Sequence, residues 1–170
     1  MNSRIDGEYL EIVSELLKAP EVLSMNNIEQ HVDGFTCLDH SLFVSYLSYK
    51  LCKKLGLDYV SAARAGLLHD LHLCDWSQTD LTHWQQLCIH PQMACENAER
   101  FGLNDLERDI ITKHMWPVTI TKVPRHRESL IVNVVDTVCA SAEFMRVHKI
   151  LMTTRRLGVV SRRRLAGNMA

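Results

Sequence analysis

Asp136 stands inside Ile131-Val132-Asn133-Val134-Val135-Asp136-Thr137-Val138-Cys139-Ala140, one of the most apolar segments of the chain. A carboxylate carried into a protein interior by such a segment loses its hydration, a cost large enough that buried charges are normally paired or bound to a metal. The fold must therefore bring a cation, or groups that hold one, to this position. Upstream, His40, the adjacent His69 and Asp70, His90 and His114 each border an apolar helical pattern, and a helix or so separates each from the next. Packing those helices against one another gathers the six residues into one cluster, which reads as a metal site.

The dominant hydrophobic period is helical, with no convincing strand alternation, so the expected class is all-α, a compact bundle of about six to seven helices. Residues 8–18 form a first amphipathic helix with Tyr9, Ile12, Val13, Leu16 and Leu17 on one face, and Pro20 ends it. A helical turn near 22–25 precedes a polar stretch and a long helix over 36–55, closed by Gly56. Asp58 caps a helix running to about Asp70, whose Ala62, Ala63, Ala65 and Gly66 permit close helix approach. Residues 76–86 read as a loop. Pro91 favours the first turn of a helix to Phe101, with Gly102 as its stop, which places His90 just ahead of that helix. A helix from Asn104 or Asp105 ends near His114. Pro117 and Pro124 bound a loop, and Arg127 opens the helix that carries Asp136 past Ala142. A last helix is expected over 144–157.

At 170 residues and 46% hydrophobic composition, the chain suits one domain, here 1–157 with its core over 36–142, followed by a basic tail over 158–170. A net charge of −1 excludes a whole-chain basic nucleic-acid binder, yet seven of the nineteen Lys and Arg fall after Phe144, where no Asp or Glu occurs. That segment reads as a solvated terminus, or as a contact for an anionic partner or a homo-oligomer. The six cysteines form no CxxC pair and sit as small hydrophobes in helical patterns, so free thiols and a reducing compartment are expected. No signal peptide and no membrane-spanning run is evident, and a cytoplasmic location is the default expectation.

His69 and Asp70 are adjacent at a helix C-terminus, about 100° apart around the axis, so they reach two neighbouring ions or grip one from two directions. Imidazole nitrogen with carboxylate oxygen suits Fe, Mn, Zn, Co or Ni, and four His with two Asp exceed what one tetrahedral ion uses. Two divalent transition metals are implied. Asp70 is the candidate shared carboxylate and the catalytic residue, holding the ions close enough for a bridging hydroxide to form at neutral pH and for charge on a phosphoryl group to be stabilised. His31, His72, His83, His126 and His148 lack a comparable setting, although His72 and His83 are placed to line a pocket.

Asp39-His40-Ser41 followed by Val44, then Ala65-Gly66-Leu67-Leu68-His69-Asp70, then Val135-Asp136 resemble the HD-domain superfamily of metal-dependent phosphohydrolases, over roughly residues 36–142. The resemblance implies an all-helical fold with ligands at His40, His69, Asp70 and Asp136. His90 and His114 look like the two-metal subgroup, which spans phosphodiesterases, dinucleoside-polyphosphate hydrolases and some diiron oxygenases. The chain departs from many relatives in continuing the His-Asp with Leu71-His72-Leu73, which lacks their lysine, and it has no Gly-Tyr-Pro signature. Candidate substrate-facing groups are Lys113, Arg125 and Trp116, with Lys122 and Arg127 in the same Pro-bounded loop as Arg125, and Asp75 as an acid-base group or a cap. The expected activity is a phosphomonoesterase or phosphodiesterase acting on a small phosphorylated compound or nucleotide through a metal-bridging hydroxide. The alternatives are a diiron oxygenase and a non-catalytic regulator.

Overall fold

The computed structural model describes residues 6–28, 35–74, 76 and 79–144. Among them are seven α-helices and no strand: α1 (Gly7–Val13), α2 (Pro20–Ser24), α3 (Cys37–Leu55), α4 (Tyr59–Leu68), α5 (His83–Ala98), α6 (Asp105–Lys113) and α7 (Arg127–Phe144). The expected helix over 144–157, the tail over 158–170, and His31, Asp75 and His148 lie outside the described residues.

Local chemistry fixes the long helices. Thr36 and Asp39 form a reciprocal capping box at the start of α3. At its end Gly56 adopts φ 67°, and Leu57 N–H bonds to Cys52 O at 2.9 Å while Gly56 N–H bonds to Lys53 O, the paired pattern that a left-handed glycine permits. Asp58 caps α4 by accepting from Ser61 N–H at 2.9 Å. Asn104 and Glu107 repeat the capping box at α6.

Two expected boundaries move. The first amphipathic stretch stops at Val13 and continues as a short 3-10 turn over Leu16–Lys18, and Pro20 opens α2 as its first residue instead of closing what precedes it. Helix α5 begins at His83, inside the expected loop, because Thr82 and Gln85 build a capping box there. Pro91 thus sits inside the helix and His90 is a mid-helix residue, not one ahead of a helix. A proline ring is tolerated in a first turn, but here a stronger start signal eight residues upstream prevails.

Helix α3 is the centre of the bundle, packed by α4 and α7, while α1 packs on α4 and reaches α3 through the Tyr9 side chain. Tyr9 of α1 donates from its hydroxyl to Ser45 Oγ at 3.0 Å, and Ser45 donates onward to Ala63 O of α4 at 2.6 Å. The contact is close because Gly66 faces Ser45: a Cβ on Gly66 would lie 2.9 Å from Ser45 Cα. Helix α7 runs antiparallel to α3, since His40 near the start of α3 meets Glu143 late in α7, while Asp58, beyond the end of α3, bonds Glu128 early in α7. Arg64 links α4 to α6 through Glu107 at 2.6 Å and to the end of the α5 segment through Phe101 O at 2.9 Å.

The apolar segment around Asp136 is buried on one side only. Val132, Val135 and Cys139 enter the core, whereas Leu130, Val134 and Val138 are on average half exposed on the outer side of α7. The continuous apolar run therefore marks a helix with an uncharged outer stripe rather than a helix buried all round. None of the described helices is long and apolar enough to cross a membrane, and all six cysteines are free.

Gly66→Ala forces α3 and α4 apart against backbone atoms that cannot swing away, and is expected to destabilise the protein by about 1–3 kcal/mol in urea denaturation. An unchanged midpoint would show that the helices separate at no cost.

Candidate metal centre

Each of the four imidazoles is held by its Nδ1. His69 Nδ1–H donates to Gly66 O at 2.9 Å, His90 Nδ1–H to Gln86 O at 3.1 Å and His114 Nδ1–H to Ile111 O at 2.8 Å, all within the residue's own helical turn. His40 Nδ1–H donates instead to a carboxylate, Glu143 Oε1, at 2.8 Å. These acceptors require a proton on Nδ1, so in the neutral ring every Nε2 presents a lone pair. All four Nε2 atoms point to Asp70 and Asp136.

Asp70 uses its two oxygens in two directions. Its Oδ2 lies 3.5 Å from His69 Nε2 and 4.0 Å from His40 Nε2, while its Oδ1 lies 3.5 Å from His90 Nε2 and 3.7 Å from His114 Nε2. Asp136 Oδ1 stands 2.9 Å from His40 Nε2 and 3.6 Å from His69 Nε2. Donors about 2.1 Å from a shared ion stand roughly 3.0 to 3.4 Å apart; five of these six distances exceed that range and one falls short of it, so the donors would draw in by a few tenths of an ångström on most sides to ligate an ion. Two overlapping triads have ligand atoms near enough to hold an ion: His40, His69 and Asp136, and His69, Asp70 and His114.

Two contacts make little sense without a cation. His69 Nε2 is wholly buried and has no hydrogen-bond partner among the described residues. His90 Nε2 and His114 Nε2 face each other at 2.8 Å, lone pair against lone pair unless a proton or an ion lies between them. The donor set and the orphaned nitrogen both fit a bound metal.

Electrostatics agrees. Burial opposes a charge on His40, but its hydrogen bonds to Asp136 and Glu143 outweigh that and hold its pKa well above the ordinary histidine value. Burial opposes charge on His69 too, and the nearby Asp70 and Asp136 again prevail. His114, with burial and then His90 and His69 against its charge, is pushed down to about 4. Burial works against ionised Asp70 and Asp136, yet the surrounding imidazoles keep both below the usual carboxylate range. With no ion bound, protons take the place of positive charge between the carboxylates.

A cavity of about 450 Å³ opens onto His40, Asp70, His90, His114 and Asp136, and its described lining continues through His72, Trp76, His83 and Gln86. That volume suits a small molecule. His72 accepts from Cys74 N–H through Nδ1 at 3.2 Å, which leaves Nε2–H as a donor, and burial lowers its pKa, favouring the neutral ring. His83 lines the cavity because α5 begins there.

The structure thus brings together His40, His69, Asp70, His90, His114 and Asp136. It does not bring Lys113, Arg125 or Trp116 to the described lining of the cavity. Lys113 pairs with Asp109, the backbone N–H of Arg125 bonds the same carboxylate at 3.0 Å, and the carbonyl of Trp116 accepts from Asn133. Asp109 also accepts from Ser129 of α7, so Asp109 and Asn133 tie α6, α7 and the loop between them together. Lys122 borders a separate, smaller cavity beside Pro91 and Thr119, and Arg127 and His126 are exposed. Glu143 escaped the sequence reading, although it lies seven residues after Asp136 and so on the same helical face.

Asp70→Ala is expected to abolish binding of both ions and His114→Ala to weaken one, as measured by equilibrium dialysis with metal analysis. Retention of two ions by Asp70→Ala would refute a bridging carboxylate.

No curated protein and no solved structure matches the chain. The family model described as HD domain matches residues 37–141, a span that begins with α3 and ends within α7 and so includes all six converging residues. The chain belongs to the HD-domain family, a superfamily of metal-dependent phosphohydrolases.

Proposed function

We propose that the protein is a phosphomonoesterase or phosphodiesterase that acts on a small phosphorylated compound or nucleotide at a centre of two divalent transition metals. The observation that carries this reading is the division of Asp70, whose Oδ2 faces His40 and His69 while its Oδ1 faces His90 and His114. A carboxylate so placed would serve two ion positions, and Asp136 would complete the first. Ions bound there supply a water activated as nucleophile at neutral pH and positive charge for the transferring phosphoryl group.

The chain's own groups do the remainder. The Nδ1 hydrogen bonds hold the four rings in the tautomer that ligation needs, so little reorganisation accompanies loading. Asp70 sets the separation of the two positions and Asp136 closes the first from a different helix. On the substrate side, the His72 Nε2–H is a donor for a phosphoryl or ester oxygen. Trp76, whose ring centroid lies 5.1 Å from that of His72, gives the cavity a flat apolar wall against which a base or other planar group packs. Gln86 and His83 add polar contacts from α5.

Metal-stripped protein reloaded separately with Mn, Co, Ni, Zn or Fe is the preparation for the test, against a panel of nucleoside monophosphates, sugar phosphates and phosphodiesters. Phosphate or alcohol release is expected only after reloading, and Asp70→Ala is expected to fall to background. Substrate-dependent O₂ consumption that requires iron, without ester cleavage, would overturn the hydrolase reading.

A further inference from the structure

Three of the four imidazoles rest on backbone carbonyls; His40 alone rests on a carboxylate. That carboxylate, Glu143, is 1% exposed, and its Oε2 has no hydrogen-bond partner among the described residues. A buried carboxylate with an unsatisfied oxygen carries a desolvation penalty that a glutamine or an apolar residue at this position would reduce. Position along α7 explains what that penalty secures. Asp136 and Glu143 are seven residues apart on one helical face, and they bracket the His40 ring, Asp136 Oδ1 at 2.9 Å from Nε2 and Glu143 Oε1 at 2.8 Å from Nδ1. Negative charge behind Nδ1 strengthens Nε2 as an electron donor and fixes the plane of the ring. No corresponding charge stands behind His90 or His114, whose Nδ1 acceptors are neutral carbonyls.

We infer that Glu143 is a positioning residue that acts through His40 to make the His40–His69–Asp136 position the tighter of the two ion positions. The inference rests on the two-ion reading given above. Glu143 touches neither ion nor substrate; it sets the donor strength and orientation of one ligand. The two positions then differ in affinity although both draw on Asp70, with the carboxylate-backed position filling first.

The test titrates the metal-free, full-length protein with Co²⁺ and follows both stoichiometry and the visible absorption of the bound ion. In the wild type, two ions bind in succession. In Glu143→Gln, which keeps an acceptor oxygen but removes the charge, the first ion is expected to weaken by about 10- to 100-fold with an altered absorption band, while the second is unchanged. Glu143→Met, which fills the space without an acceptor, is expected to weaken the first ion at least as much and stands in if the glutamine variant does not fold. Wild-type affinity for both ions in Glu143→Gln overturns the inference, as does equal weakening of both. If the wild type binds a single ion, the two-ion reading fails, and the ordering of sites inferred for Glu143 falls with it. If it binds two ions that Glu143→Gln leaves unaltered, the inference alone fails.

Discussion

Everything near the cavity depends on the Nδ1 hydrogen bond. An imidazole free to rotate offers either nitrogen, but a ring whose Nδ1–H is committed to an acceptor offers one lone pair in one direction. Three of these acceptors are carbonyls of the ring's own helix, Gly66, Gln86 and Ile111, three or four residues upstream of the histidine they orient. For His69 and His114, which follow the last residues of α4 and α6, such carbonyls are among those that a helix end leaves without an intrahelical partner. Ending a helix and aiming a ligand are thus one event at two of the four positions.

His90 reaches the same outcome by another route. It lies in the middle of α5, and its Nδ1 donates to Gln86 O, the carbonyl one turn back that a regular helix also offers to the His90 backbone N–H, so side chain and backbone share one acceptor. That His90 takes its place from within a helix, not from ahead of one, is what the sequence reading missed. Proline before a polar stretch is a start signal on most chains, and the reciprocal Thr82–Gln85 cap that overrides it is visible only as one more Thr among polar residues.

The six converging residues and the all-α class were legible because each rests on local pattern: a capping residue, a helical period, a histidine at a helix boundary or a carboxylate in an apolar run. What was not legible depends on distant parts of the chain meeting. Glu143 reads as an ordinary acidic residue near a helix end until the antiparallel pairing of α3 and α7 puts it behind His40, 103 residues away. Lys113 and Arg125 read as substrate-facing cations from their nearness to His114 in sequence, whereas in the fold the Lys113 ammonium pairs with Asp109 and the backbone N–H of Arg125 bonds the same carboxylate. Nearness in sequence to a ligand does not decide which side of its helix a side chain takes.

The described lining of the cavity holds imidazoles, two carboxylates, an indole, an amide, two hydroxyls and apolar groups, but no Lys or Arg. On the proposed reading, an anionic guest finds its strongest attraction in the ions themselves rather than in the protein wall. Ion loading and substrate binding are then thermodynamically linked. Whatever factor the ions contribute to substrate affinity, the substrate returns to ion affinity, so a loosely loaded second position tightens as the substrate arrives.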